Sequence, residues 1–294
     1  MARCYLKRYN PYIRPQTTKE SLATPGFFVI KMSLKITTTI TPQDRGFQYG
    51  DGFFTTAAIK SGKVQHWDLH LTRLQSCATA LYFPKIDWQQ LQLECEKHSI
   101  EHELAVLKVV ISRGEGGRGY QAPDEPSLNA ILSVLPFPSH YADWQAQGIK
   151  VSISNVKLGH QPLLAGLKTL NRLEQVLIKQ DAKQFTDSHD VVVLDINNQV
   201  IETSAGNLIG FKNGELFTPK LSQAGIKGVY LSALRQVNNI IEVEESIGFW
   251  TDMDAMFTCN SLMELVPIIQ LDAKQFELEA ALIVQQSLMS SLHA

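Results

Sequence analysis

Apolar positions recur along the chain with two rhythms, and the rhythm changes at stretches rich in glycine, proline and asparagine. Alternating or β-branched runs predict strands over 27–30, 35–40, 53–60 and 64–67, the last two joined by the tight hairpin Ser61-Gly62-Lys63. Asp68 is placed to cap a helix in which Leu71, Leu74, Ala78 and Leu81 recur at helical spacing, and 87–90 opens a second helix of capping-box type. Residues 105–112 and 128–135 read as further strands, and Pro136-Phe137-Pro138 then breaks regular structure. Beyond the break, 150–156 is a strand by alternation, and 171–184 is helical with Leu173, Val176 and Leu177 on one face. Strand pairs follow at 191–195 with 199–202, around Asn197-Asn198, and at 208–211 with 215–218, around Asn213-Gly214. A helix opens after Gly225, a strand ends near 257–261, and an amphipathic helix spans 275–292.

At 294 residues the chain has material for about two domains, each with its own core. The proline-rich break sets the division: an irregular extension over 1–25, a first domain over 26–136, a linker over 137–148 and a second domain over 149–294. Composition removes several function classes. Apolar residues make up 44%, charged residues 19%, and the formal net charge is −2, so neither disorder nor a polybasic nucleic-acid surface is indicated. No window approaches the roughly 20 apolar residues of a membrane span, and the start lacks the order of a secretory signal, which makes the cytoplasm the expected compartment. Cys4, Cys77, Cys95 and Cys259 are scattered, without metal-ligand spacing, so no metal is expected and Cys77 and Cys95 read as small core residues.

Candidate chemistry is concentrated in a few stretches. In Gly166-Leu167-Lys168-Thr169-Leu170-Asn171-Arg172-Leu173-Glu174-Gln175 a lysine sits between apolar neighbours, where burial would lower its proton affinity and leave an amine able to attack a carbonyl. An exposed lysine at a helix start is the plain alternative. Asp44-Arg45-Gly46-Phe47-Gln48-Tyr49-Gly50-Asp51-Gly52-Phe53-Phe54 is a glycine-rich turn leading into a strand. His70-Leu71-Thr72-Arg73-Leu74 lies on the first helix, and Arg113-Gly114-Glu115-Gly116-Gly117-Arg118-Gly119-Tyr120 is a loop with two arginines among four glycines. Glu202 precedes the small polar run to Asn207. Gly225-Ile226-Lys227-Gly228-Val229-Tyr230 puts glycine ahead of a helix, whose free N–H groups favour anions.

Together these stretches, in this order from Asp44 to Pro267, resemble the fold-type IV pyridoxal-phosphate enzymes, a family of branched-chain aminotransferases, D-amino-acid aminotransferases and aminodeoxychorismate lyases. The run from Lys168 to Gln175 and the Arg113–Tyr120 loop are most similar to the lyases; the Arg-x-His pair of D-amino-acid aminotransferases has no counterpart in the loop, and Ile201 stands where the family has Thr before the glutamate. The resemblance implies two α/β domains, the second a barrel-like mixed sheet, assembled as a homodimer with pyridoxal 5'-phosphate between the domains. It implies Lys168 as the catalytic, cofactor-bound lysine, Glu202 as partner of the pyridine nitrogen, and Arg73, Gly228, Val229, Tyr230 and Ser261 at the phosphate. Phe54, Thr55 and Arg118 are the implied substrate contacts. The implied reaction takes 4-amino-4-deoxychorismate, a small molecule, to 4-aminobenzoate and pyruvate in folate biosynthesis. An aminotransferase of the same fold is the alternative, and a cofactor-free binding protein the remoter one.

Overall fold

The computed structural model describes residues 34–292; the expected extension over 1–25 and the strand over 27–30 lie outside the described residues. The first elements are β1 (Lys35–Ile36), α1 (Arg45–Tyr49), β2 (Gly52–Lys60), β3 (Lys63–Val64), α2 (Trp67–Ala80), α3 (Trp88–Ser99), β4 (Leu104–Ser112) and β5 (Asn129–Pro136). They form a five-stranded sheet in the order β1-β5-β4-β2-β3. β2 and β4 pair antiparallel from Gly52 against Ser112 to Lys60 against Leu104, and α2 and α3 cover one face. Leu74, Cys77, Leu91 and Cys95 from the helices pack there on Phe53, Ile59, Leu107 and Ile111, all out of water, so Cys77 and Cys95 are core residues.

The chain continues with α4 (Tyr141–Gln147), β6 (Ile149–Ile153), α5 (Leu173–Ala182), β7 (Asp190–Leu194), β8 (Val200–Thr203), β9 (Asn207–Lys212) and β10 (Glu215–Pro219). α6 (Val229–Val237), β11 (Ile240–Val243), α7 (Ile247–Thr251), β12 (Ala255–Asn260), β13 (Glu264–Leu271), β14 (Lys274–Gln275) and α8 (Leu278–Ser291) complete it. These strands form a second, nine-stranded sheet ordered β11-β10-β9-β12-β13-β6-β7-β8, with β14 on β13. Pairing is parallel at β6–β13, β6–β7 and β10–β11 and antiparallel elsewhere. β8 also approaches β9 and β10, which curls the sheet toward a barrel. Among the described residues, every strand up to Pro136 belongs to the first sheet and every strand from Ile149 to the second.

Local chemistry explains where the elements depart from the sequence pattern. The strand expected over 35–40 stops at Ile36, because the Thr37 hydroxyl donates to the Thr39 carbonyl and accepts the Thr39 N–H, turning the chain. The glycine-rich stretch after Asp44 contains the short helix α1: the Asp44 carboxylate accepts the N–H groups of Gly46 and Phe47, and Gly50, at φ 66°, ends the helix in a left-handed conformation. α2 begins at Trp67, so Asp68 stands in its first turn, where its charge favours the helix dipole without capping it. The segment read as a linker contains α4, whose Tyr141 and Trp144 pack on the second sheet's core. α5 is held through Ile178, while Leu173, Val176 and Leu177 are 71%, 52% and 50% exposed.

Candidate active site

The segment before α5 is extended and joins the two sheets. Gly166 N–H donates to Gly225 O and Lys227 N–H to Gly166 O, both against the loop after β10. Phe54 N–H donates to Lys168 O at 2.9 Å and Leu170 N–H to Gly52 O at 3.0 Å, both against the start of β2. Four backbone bonds therefore fix Lys168 at the seam, and its side chain enters a cavity of about 560 Å³. The lysine lies in this tethered strand-like run, ahead of the helix.

Glu202 enters the same cavity from β8, with its side chain buried. Its Oε2 accepts the Ile226 N–H at 3.0 Å. Burial raises its pKa to about 7, opposed by that hydrogen bond, by Lys168 and Arg172, and by the Gln175 amide. Lys168 moves the other way, to about 8: burial leads, Arg73 adds to it, and Glu202 pulls back. An ammonium and a carboxylate in one cleft are thus each brought close to their neutral forms, the pattern of a proton-transferring site.

At another wall α2 presents Arg73, whose Nη2 donates to Thr55 Oγ1 at 2.9 Å, while its Nε is buried without a hydrogen-bond partner. Gly228 and Val229 line the cavity at the start of α6, where no side chain caps the helix. A Cβ on Gly228 would fall 2.0 Å from Asn207 Oδ1, so only glycine brings this turn so close to the β8–β9 corner. Ser261, in the turn after β12, lines the cavity as well. Tyr230 does not: its side chain is buried beneath α6, with the ring 5.9 Å from that of His66, and only its backbone lies in the first turn.

Of the three expected substrate contacts, Phe54 alone lines the cavity. Side chains alternate along β2, so Phe54 and Thr56 face the cavity while Thr55 points to the opposite side, fully buried. Arg118 is exposed in its loop and does not line the cavity, because the loop is held outside it by Arg45, whose guanidinium donates to the carbonyls of Gly116, Gly119, Tyr120 and Gln121.

Residues to which the sequence reading gave no contact complete the walls. Arg172, just before α5, and Gln175, Val176, Lys179 and Gln180 of α5 form a helical stripe, and α4 contributes Tyr141. Arg172 Nη2 donates to Thr169 Oγ1 at 2.9 Å; Arg172 Nε and Gln175 Oε1 are buried without partners. The stripe is legible as a period of three and four from Arg172, hidden by the apolar positions interleaved with it. Arg73, Lys168, Arg172 and Lys179 give the cavity four cationic side chains against the single carboxylate of Glu202. Among the described residues no cluster of metal-ligating side chains occurs and no helix is long and apolar enough to cross a membrane.

Two mixed sheets meeting at a lysine of depressed basicity, a buried glutamate and an uncapped helix start define an enzyme of the fold-type IV pyridoxal-phosphate class. Residues 52–271 match the family described as amino-transferase class IV, and the chain belongs to that family. It is 36% identical over 241 residues to an aminodeoxychorismate lyase of Vibrio harveyi, covering 80% of this chain and 89% of the relative. The crystal structure of 4-amino-4-deoxychorismate lyase from Pseudomonas aeruginosa is similar with a TM-score of 0.79 at 31% identity, covering 87% of this chain and 95% of that one. A D-alanine aminotransferase of Listeria monocytogenes (serotype 1/2a, strain 10403S) is 26% identical over 253 residues, 81% of this chain and 84% of the relative. The family's cofactor is pyridoxal phosphate, and the cavity fits it: an amine for its carbonyl, a carboxyl of raised pKa for its ring nitrogen, and for its phosphate an arginine with an unpartnered buried Nε beside open backbone N–H groups.

Proposed function

We propose that this chain cleaves 4-amino-4-deoxychorismate to 4-aminobenzoate and pyruvate, a step toward folate. The observation that carries the reading is the joint placement of Lys168 and Glu202 in one cavity whose other charged side chains are all cations, in a chain more than one third identical to an aminodeoxychorismate lyase. Lys168 and Glu202 would hold the cofactor's reactive carbon and ring nitrogen; Arg73, Ser261 and the backbone N–H groups of Val229 and Tyr230, with Gly228 admitting the phosphate, would hold its other end. When bound, pyridoxal phosphate supplies a carbonyl that condenses with amines and a ring that withdraws electrons.

The chain's own work is proton handling and charge. A neutral Lys168 takes the proton from C4 of the substrate ring, the C3–O bond to the enolpyruvyl arm breaks with its electron pair leaving on oxygen, and the ring becomes aromatic. Lys168 then returns a proton to the methylene of the departing group, which leaves as pyruvate. Its depressed basicity suits both halves, since one group must accept and release the proton near neutral pH. Phe54 and Thr56 supply an apolar and a hydroxyl lining, and Arg172 is the cavity cation assigned to the substrate carboxylates, whereas Lys179 is already paired with Asp190 at 3.1 Å. This moves the expected carboxylate grip from Arg118 to a cation inside the cavity.

The assembly proposed is a homodimer. Phe47, 69% exposed, with Leu173 and Val176, lines a groove continuous with the cavity through Arg172, Gln175 and Val176. A second copy would bury these apolar side chains at the edge of the site. The test of function is direct: purified protein loaded with pyridoxal phosphate is incubated with aminodeoxychorismate and 4-aminobenzoate is followed by its fluorescence. Accumulation at enzymatic rates supports the reading, and none under conditions that give transamination refutes it.

A further inference from the structure

Behind the cavity wall lies a short polar chain in an otherwise apolar layer. Arg73 Nη2 is 2.9 Å from Thr55 Oγ1 and 3.3 Å from His70 Nδ1, and Thr55 Oγ1 is 2.6 Å from His70 Nδ1. Thr55 and His70 are fully buried and neither lines the cavity. The direction of each bond follows from the donors available. A guanidinium only donates, so Thr55 Oγ1 accepts from Arg73 and its single hydroxyl proton goes to His70. A proton on Nδ1 would point at both the hydroxyl and the guanidinium, so Nδ1 is the bare acceptor and Nε2 carries the hydrogen.

That tautomer leaves the Nε2 N–H buried without a partner, an unfavourable arrangement that a merely space-filling residue would not need. Burial, and then Arg73, hold the His70 pKa well below the usual imidazole range, so the ring stays neutral and able to accept. Meanwhile Arg73 itself lines the cavity, and its Nε is buried without a hydrogen-bond partner. One edge of the guanidinium is pinned behind the wall while the side chain still reaches the cavity.

We infer that Thr55 and His70 are positioning residues that fix the Arg73 guanidinium for an anionic ligand, the phosphate of the cofactor. The inference rests on the reading of Arg73 as a phosphate contact. A flexible arginine would lose rotamer freedom on binding; one already held loses less, and the affinity gained appears only for ligands that carry the phosphate.

The experiment compares binding of pyridoxal phosphate and of pyridoxal, which lacks the phosphate, to cofactor-free protein by absorbance titration. The proteins are the parent, Thr55→Val, Thr55→Ser, His70→Phe and Arg73→Ala, with thermal unfolding of each recorded alongside. Thr55→Val keeps the shape and removes the hydroxyl; Thr55→Ser keeps the hydroxyl. The expected result is about tenfold weaker pyridoxal phosphate binding in Thr55→Val and His70→Phe, near-parent binding in Thr55→Ser, and unchanged pyridoxal binding throughout. Equal loss for both ligands would make Thr55 and His70 structural residues only and overturn the inference. Parent-like phosphate binding in Thr55→Val, with Arg73→Ala impaired, would overturn it while sparing the Arg73 reading. Unchanged binding in Arg73→Ala would remove the Arg73 reading itself and the inference with it.

Discussion

Phe54 engages Lys168 twice: its backbone N–H donates to the lysine carbonyl at 2.9 Å, and the lysine Nζ stands 4.7 Å from the centroid of its ring. One residue at the start of β2 thus sets both where the lysine leaves the chain and where its amine ends. The ring face attracts the ammonium but not the neutral amine, a partial counterweight to burial. The loss of basicity at Lys168 is therefore the net of opposing contacts, with burial the largest.

The first prediction concerns the stability of the cofactor-free protein. Lys168 has an ordinary value of 10.5 lowered to about 8 on folding, so a charged lysine destabilises the fold below pH 8, and the penalty fades as pH rises to 10.5. Lys168→Met should stabilise the protein at pH 7 by roughly 2 to 3 kcal/mol, with no gain above about pH 10.5. It should also abolish the borohydride-reducible adduct with pyridoxal phosphate. Denaturant melts at pH 7 and pH 10.5 and mass spectrometry after reduction check both parts.

Glu202 makes the opposite case. Its pKa rises from 4.5 to about 7 on folding, so the folded protein binds an extra proton between those values and its stability falls as pH rises through the window. Glu202→Gln should remove that slope. It should also lower turnover at least about a hundredfold, because the ring nitrogen loses its charged partner. A variant with parent-like turnover would detach Glu202 from the chemistry.

Arg172 tests the substrate grip. It lines a cavity that must take a dianion, and its Nε is buried without a hydrogen-bond partner. Arg172→Leu should raise the KM for aminodeoxychorismate about tenfold or more while the bound cofactor keeps its absorbance. An unchanged KM would assign the carboxylates elsewhere.

The exposed apolar groove carries the assembly prediction. Leu173→Glu places a charge among side chains that a second copy should cover. Sedimentation should show a dimer for the parent and a shift toward monomer for the variant. A monomeric parent at micromolar concentration would contradict the proposal.

Much of the framework was legible because strand alternation and turn chemistry are local. The hairpins at Gly62, Asn198 and Gly214 need only short-range rules, and the helix expected after Gly225 opens three residues later, after Gly228. Lys168 and Glu202 were legible through family resemblance, and their convergence in one cavity depends on backbone bonds from Gly166 and Phe54 to distant segments, which no local pattern records. Thr55 and Arg118 show the other limit. A motif marks that a residue belongs to the neighbourhood, whereas strand parity turns Thr55 away from the cavity, and the carbonyls gripped by Arg45 hold the Arg118 loop outside it. The apolar face of α5 was visible, but periodicity cannot say whether such a face meets the chain's own core or a partner.

The most direct test of the central claim is the product balance with no amino acceptor present. Protein loaded with pyridoxal phosphate is given aminodeoxychorismate without any keto acid, and 4-aminobenzoate and pyruvate are quantified together over time. The account predicts equimolar formation of both, sustained over many turnovers and lost in Lys168→Ala. No product here, together with rapid glutamate-dependent amination of a branched-chain keto acid, would contradict it and make the protein a transaminase.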